Sequence, residues 1–128
     1  MKKELIYVEL TNGFNHDEKA EIGFGYYNRT RSTVYFNGRI FGKGKRIVGN
    51  FVDIETGENY WVSGTKKNGQ NRHWAGKGKI HIDKTAIPEY LNHINQTSLP
   101  KNQFVIDEFD NEPRVLQANQ IENAKKLK

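Results

Sequence analysis

Two short stretches hold the residue types best suited to chemistry. Tyr60-Trp61 and Asn71-Arg72-His73-Trp74 flank the basic turn Lys66-Lys67-Asn68-Gly69, and Lys77 and Lys79 follow closely. A guanidinium forks onto phosphate or carboxylate, an ammonium adds charge, and an indole or phenol ring offers a flat face for a base. Cations interleaved with rings in this way suit single-stranded nucleic acid. The expected ligand-binding set is therefore Tyr60, Trp61, Lys66, Lys67, Arg72, His73, Trp74, Lys77 and Lys79. The competing reading places Trp61 and Trp74 in the core of a chain poor in aliphatic residues. Strand neighbours face opposite sides, so at least one of Tyr60 and Trp61 is expected to point outward.

His73 is the one catalytic candidate. A histidine beside arginine and lysines has the means for ribonuclease chemistry, a base for the 2′-hydroxyl and cations for the developing phosphorane. The necessary partner, from His16, His81, His93 or a carboxylate, is not identifiable from spacing. Asp53 and Glu55 share one side of a strand and lie near Glu58, but acids around a hairpin ordinarily sit in solvent or pair with lysines. The four histidines lack zinc-ligand spacing, and the chain has no cysteine, so no metal site, disulfide or other cofactor is expected. Gly42-Lys43-Gly44-Lys45 and Gly76-Lys77-Gly78-Lys79 do not fit the phosphate-loop pattern. Alternating with glycine on a strand, their lysines would instead line one side.

The net charge of +5 conceals a strong alternation of sign. Arg29, Arg31, Arg39, Lys43, Lys45 and Arg46 form one block without an acid, and Lys66, Lys67, Arg72, Lys77, Lys79 and Lys84 form a second with only Asp83. Asp53, Glu55 and Glu58 separate them. If the fold unites the blocks, they make a patch for a polyanion whose attraction fades with salt; if not, each is a solvated face.

A length of 128 residues fits one domain, and an apolar content of 35% calls for a lean, aromatic-rich core. Period-2 alternation in Ile6-Val8-Leu10 and Ile22-Phe24-Tyr26 predicts strands, and Gly23 and Gly25 predict a bend or bulge, or a close approach by another backbone. Asn37-Gly38 predicts a type I′ hairpin between Ser32–Phe36 and Arg39–Gly42. Glu55-Thr56-Gly57-Glu58 predicts a second hairpin, and Arg72–Ile82 and Phe104–Phe109 read as further strands. Tyr90, Ile87, Leu91 and Ile94 fall on one helical face, so a short helix is expected over about 84–95. Asp83 or Thr85 would cap it, and Pro88 would sit in its first turn. The expected fold is all-β and mainly antiparallel: a small SH3-like barrel or strongly curled sheet with one short C-terminal helix, in a single domain over 1–112. An OB-like barrel or a sandwich is the alternative. Residues 113–128 form a basic tail, marginally helical or disordered.

The run Gly49-Asn50-Phe51-Val52-Asp53-Ile54-Glu55-Thr56-Gly57-Glu58-Asn59-Tyr60-Trp61-Val62-Ser63-Gly64, followed by Lys66-Lys67-Asn68-Gly69-Gln70 and Arg72-His73-Trp74-Ala75-Gly76, resembles a group of small uncharacterised bacterial proteins. The resemblance spans roughly residues 1–94 and implies a bacterial, cytoplasmic protein without implying an activity. Met1-Lys2-Lys3-Glu4 does not read as a signal peptide, and no window is apolar enough for a membrane span. The leading expectation is a non-catalytic module that binds RNA or single-stranded DNA. The alternatives are a protein-interaction or self-associating module and a small endoribonuclease built on His73.

Overall fold

Alternation gives the first strand, β1 (Lys2–Leu10), two different faces. Ile6 and Val8 point to one side with Leu10, while Leu5, Tyr7 and Glu9 point to the other. In the computed structural model, which describes residues 1–11, 20–44, 50–68, 79–100 and 102–112, both faces are covered. The strand β2 (Ala20–Tyr27) runs antiparallel to β1 along its whole length, with Leu5 opposite Phe24. Then β3 (Thr33–Phe36), β4 (Arg39–Lys43), β5 (Phe51–Asp53) and β6 (Asn59–Gly64) each pair antiparallel with the strand before. Pairing of β6 with β1, Val8 opposite Val62, closes the ring. The result is a closed six-stranded antiparallel barrel, in keeping with the small SH3-like barrel that the sequence predicts.

Turn chemistry sets these registers. Asn37 and Gly38 both have positive φ, 46° and 73°, as the type I′ turn between β3 and β4 requires. In the next hairpin Asp53 accepts the amide hydrogens of Glu55 and Thr56, and Gly57 turns at a φ of 79°. Asp53 is thus a buried turn-former, separated in role from the exposed Glu55.

Two further strands depart from the antiparallel rule. β7 (Ile80–Asp83) lies parallel to the start of β2, and β8 (Phe104–Asp107) lies parallel to β7. The start of β2 therefore pairs with β7, and only its end, Tyr26 and Tyr27, pairs with β3. Gly23 and Gly25 sit where the two partners part. A β-carbon on Gly23 would lie 2.8 Å from the ring of Phe109, and one on Gly25 would lie 2.3 Å from Ile6 Cδ1. The stretch expected as a strand to Phe109 thus ends at Asp107, and Phe109 turns back to pack edge-on against Phe36, ring centroids 5.6 Å apart.

The apolar residues form two layers. Inside the barrel lie Ile6, Val8, Tyr27, Val34, Phe36, Phe41, Phe51, Tyr60 and Val62. Outside it, Tyr7, Ala20, Ile22, Ile80 and Ile82 are covered by Tyr90 and Ile94 of the helix α1 (Ile87–Ile94). Each such side chain, fully buried, contributes about 1.5–3 kcal/mol. A 3₁₀ turn, Lys84–Ala86, leads into α1, capped by the Asp83 carboxylate on the Thr85 amide. Pro88 stands in the first turn, and Asn95, left-handed at a φ of 58°, ends the helix.

Candidate nucleic-acid interface

Strand direction decides which charges meet. β1, β3 and β5 begin at one end of the barrel, where β2, β4 and β6 finish. Lys2 and Lys3 start β1 beside the end of β2, which leads into Arg29 and Arg31; Lys43 ends β4, and Lys66 and Lys67 follow β6 after Thr65. Among the described residues, cations of both basic blocks thus gather toward one end of the barrel together with Lys2 and Lys3, with Glu4 among them; β6 stops opposite Ile6, so Lys66 and Lys67 approach this end from the flank of β1. The opposite end carries Glu21, Asp53, Glu55, Glu58 and Asp110, with Arg39 and Lys79.

The rim is held in place locally. Asn28 pins the β2–β3 connection: its side-chain oxygen accepts from the Thr33 amide at 3.1 Å and its amide donates to Ser32 Oγ at 3.2 Å. Arg31 is left-handed at a φ of 60°, its own amide bonded to the Asn28 carbonyl at 3.1 Å. This conformation sets its guanidinium 4.0 Å above the ring of Tyr27 and in a two-point contact with Glu4, whose longer bond is 3.3 Å. The hydrogen bond from Arg31 holds the Glu4 carboxyl below the usual glutamate range, and burial pushes the Tyr27 phenol up. Lys3 lies 4.1 Å over the Phe24 ring. An open groove of about 610 Å³ is lined by Met1, Lys2, Tyr27, Asn28, Arg29 and Arg31. On the other side, His93 of α1 donates from Nε2 to the Thr65 carbonyl at 2.8 Å, tying the helix to the segment that carries Lys66 and Lys67.

The sequence-predicted residues divide between the two ends and the two faces. Tyr60 faces the interior, 6% exposed, where Arg39 donates to its hydroxyl at 3.3 Å and burial raises its pKa. Trp61, its neighbour, takes the outer face, half-buried against the layer beneath α1 and opposite the buried Glu9. Lys66 and Lys67 are exposed at the cationic rim. Lys79 is also exposed, but it precedes β7 at the far end. Arg72, His73, Trp74 and Lys77 lie outside the described residues. Lys2, Lys3, Arg29, Arg31 and Lys43 were not in the predicted set. Arg29, Arg31 and Lys43 belong to the first basic block, and the β1–β2 register, which places Lys2 opposite Tyr27, adds Lys2 and Lys3 to it.

The far end is a closed structure. Glu21, only 1% exposed, accepts from Arg39 at 2.6 Å and from Asn37 at 3.0 Å. The Arg39 guanidinium also lies 5.3–5.6 Å from the rings of Phe36, Phe41 and Tyr60. Its pKa is raised: desolvation, the largest influence, opposes its charge, and Glu21 and Tyr60 together outweigh it. Asp83 accepts from the Phe109 amide and the Asn111 side chain, and so fixes the segment that carries Phe109. These groups are consumed by one another, which makes this end architectural.

Among the described residues, no three histidine or acidic side chains gather as a metal site requires. His81 bonds Asp107 at 2.6 Å between β7 and β8. No helix of the described residues is long and apolar enough to cross a membrane. In comparisons with known proteins, the chain matches no family model, no curated protein and no solved structure.

Proposed function

We propose that the protein is a non-catalytic cytoplasmic module that binds RNA or single-stranded DNA through one end of its barrel. The reading rests on a single observation, the gathering of Lys2, Lys3, Arg29, Arg31, Lys43, Lys66 and Lys67 at one rim by the strand registers. Phosphates held by such residues release counterions, so affinity depends steeply on salt. The half-buried Tyr26, on the outer face opposite Lys3, gives this rim a ring that can meet a base. The test is fluorescence anisotropy with a labelled single-stranded oligonucleotide across a salt series. Neutralising five phosphates predicts affinity about a hundredfold weaker at about 200 mM than at about 50 mM salt. Binding indifferent to salt, or none at the lowest concentration, rejects the reading.

A second reading, a module that pairs with another polypeptide or with its own copy, draws on β8. That strand ends the sheet among the described residues, and its Ile106 is 57% exposed. Such an edge invites strand addition. Light scattering after size exclusion separates the two, since self-pairing doubles the mass without nucleic acid.

A further inference from the structure

We propose that the guanidinium fork of Arg31 is a phosphate-binding site that the Glu4 carboxylate fills in the free protein, and that an incoming phosphate takes the carboxylate's place. The inference rests on the nucleic-acid reading for the source of that phosphate, but the fork itself stands on its own geometry.

Three observations carry it. First, the fork is built before any ligand arrives. The left-handed backbone at Arg31, the bond of its amide to Asn28 and the seat of the guanidinium 4.0 Å over Tyr27 do not involve Glu4. A non-glycine residue in that conformation is uncommon, and the Asn28 bonds across the loop hold it there. Second, the carboxylate meets the fork at two points, and a phosphate presents two oxygens in the same way. Third, the exchange is easy. The side chains of Arg31 and Glu4 are 50% and 30% exposed, so neither is stranded without water when they separate. The fork opens on the groove shared with Lys2 and Arg29, whose charges favour a phosphate over a solvated Glu4. Glu4 then acts as a competitor tethered to the site, and weak anions that cannot displace it are excluded.

The test uses the full chain and a labelled single-stranded RNA of about twelve nucleotides, near the upper size for a small barrel. Glu4→Gln removes the competitor and is expected to tighten binding about fivefold, the scale of one exposed ion pair. Glu58→Gln makes the same change in net charge on the β5–β6 turn at the far end, and is expected to change affinity less than about twofold at moderate salt. Adding Arg31→Ala to Glu4→Gln should erase the gain. Equal effects of Glu4→Gln and Glu58→Gln, or a gain that survives Arg31→Ala, overturn the proposal while leaving nucleic-acid binding intact. A second arm follows the Arg31 Nε–H resonance by NMR during titration with inorganic phosphate. A shift at lower phosphate concentration in Glu4→Gln than in the unchanged protein supports the fork even if no RNA binds, in which case free phosphate is the source and the nucleic-acid reading fails. No shift in either protein overturns it.

Discussion

The two ends of the barrel each hold an arginine paired with a glutamate against aromatic rings, and they use the pair in opposite ways. At the far end Arg39 is 23% exposed and Glu21 almost fully buried, with Asn37 and Tyr60 completing their hydrogen bonds. At the cationic rim Arg31 and Glu4 are both partly exposed beside a groove, and neither is enclosed as Glu21 is. A pair whose carboxylate is buried fixes structure, because removing the arginine leaves that carboxylate a charge without solvent. A partly exposed pair can open at little cost and is available for exchange. The same residue types therefore build the barrel at one end and, in the function proposed, serve a ligand at the other.

The largest effect that would break this comparison is expected at Arg39. Arg39→Ala strands Glu21 and should destabilise the fold by about 3–5 kcal/mol in chemical denaturation, with oligonucleotide affinity unchanged in whatever fraction remains folded. Phe109→Ala should cost about 2 kcal/mol, below the range for a fully enclosed ring because Phe109 is partly exposed. Gly23→Ala should cost about 1–2 kcal/mol by forcing the Phe109 ring aside, and should cost less in the Phe109→Ala background, a coupling that a double-mutant cycle measures.

Acid should act through Asp83, which holds the segment carrying Phe109. Desolvation would raise this carboxyl, but bonds from Thr85, Asn111 and the Phe109 amide outweigh it and hold its pKa below the ordinary 3.8. Its contribution is thus complete above the unfolded value and lost as pH falls through the lower folded one. Denaturation of Asp83→Asn should therefore show a flatter loss of stability in that acid range than the unchanged protein. The smallest effects belong to the rim: Arg31→Ala and Lys3→Ala should each change stability by less than about 1 kcal/mol, because exposed ion pairs and cation–π contacts contribute little.

Much of the barrel was legible because local chemistry is decisive at its turns. Asn37-Gly38 has few alternatives to a type I′ turn, and Gly57 with Asp53 fixes the next hairpin. The helical face of Tyr90, Leu91 and Ile94 and the cap at Asp83 were equally local. The parallel placement of β7 and β8 was not legible, since it depends on the packing of α1 across Ile80 and Ile82 rather than on the alternation within either strand. For the site, alternation required Tyr60 and Trp61 to face opposite ways but did not say which way, because both are large and aromatic. Counting charge along the chain leaves Lys2 and Lys3 outside both basic blocks. Only the register that sets them beside Tyr26 and Tyr27 brings them to Arg29 and Arg31. Lys79 was grouped by sequence with Lys66 and Lys67, yet the parallel pairing of β7 carries it to the other end.

The most direct measurement compares two lysine variants by the slope of log affinity for a single-stranded oligonucleotide against log salt. Replacing Lys43, Lys66 and Lys67 together by glutamine should make the slope shallower by about two, since each phosphate contact on a single strand contributes about 0.7. Lys79→Gln should leave it unchanged. An unaltered slope in the triple variant, or an equal loss per lysine from Lys79→Gln, would contradict a binding surface confined to the cationic rim.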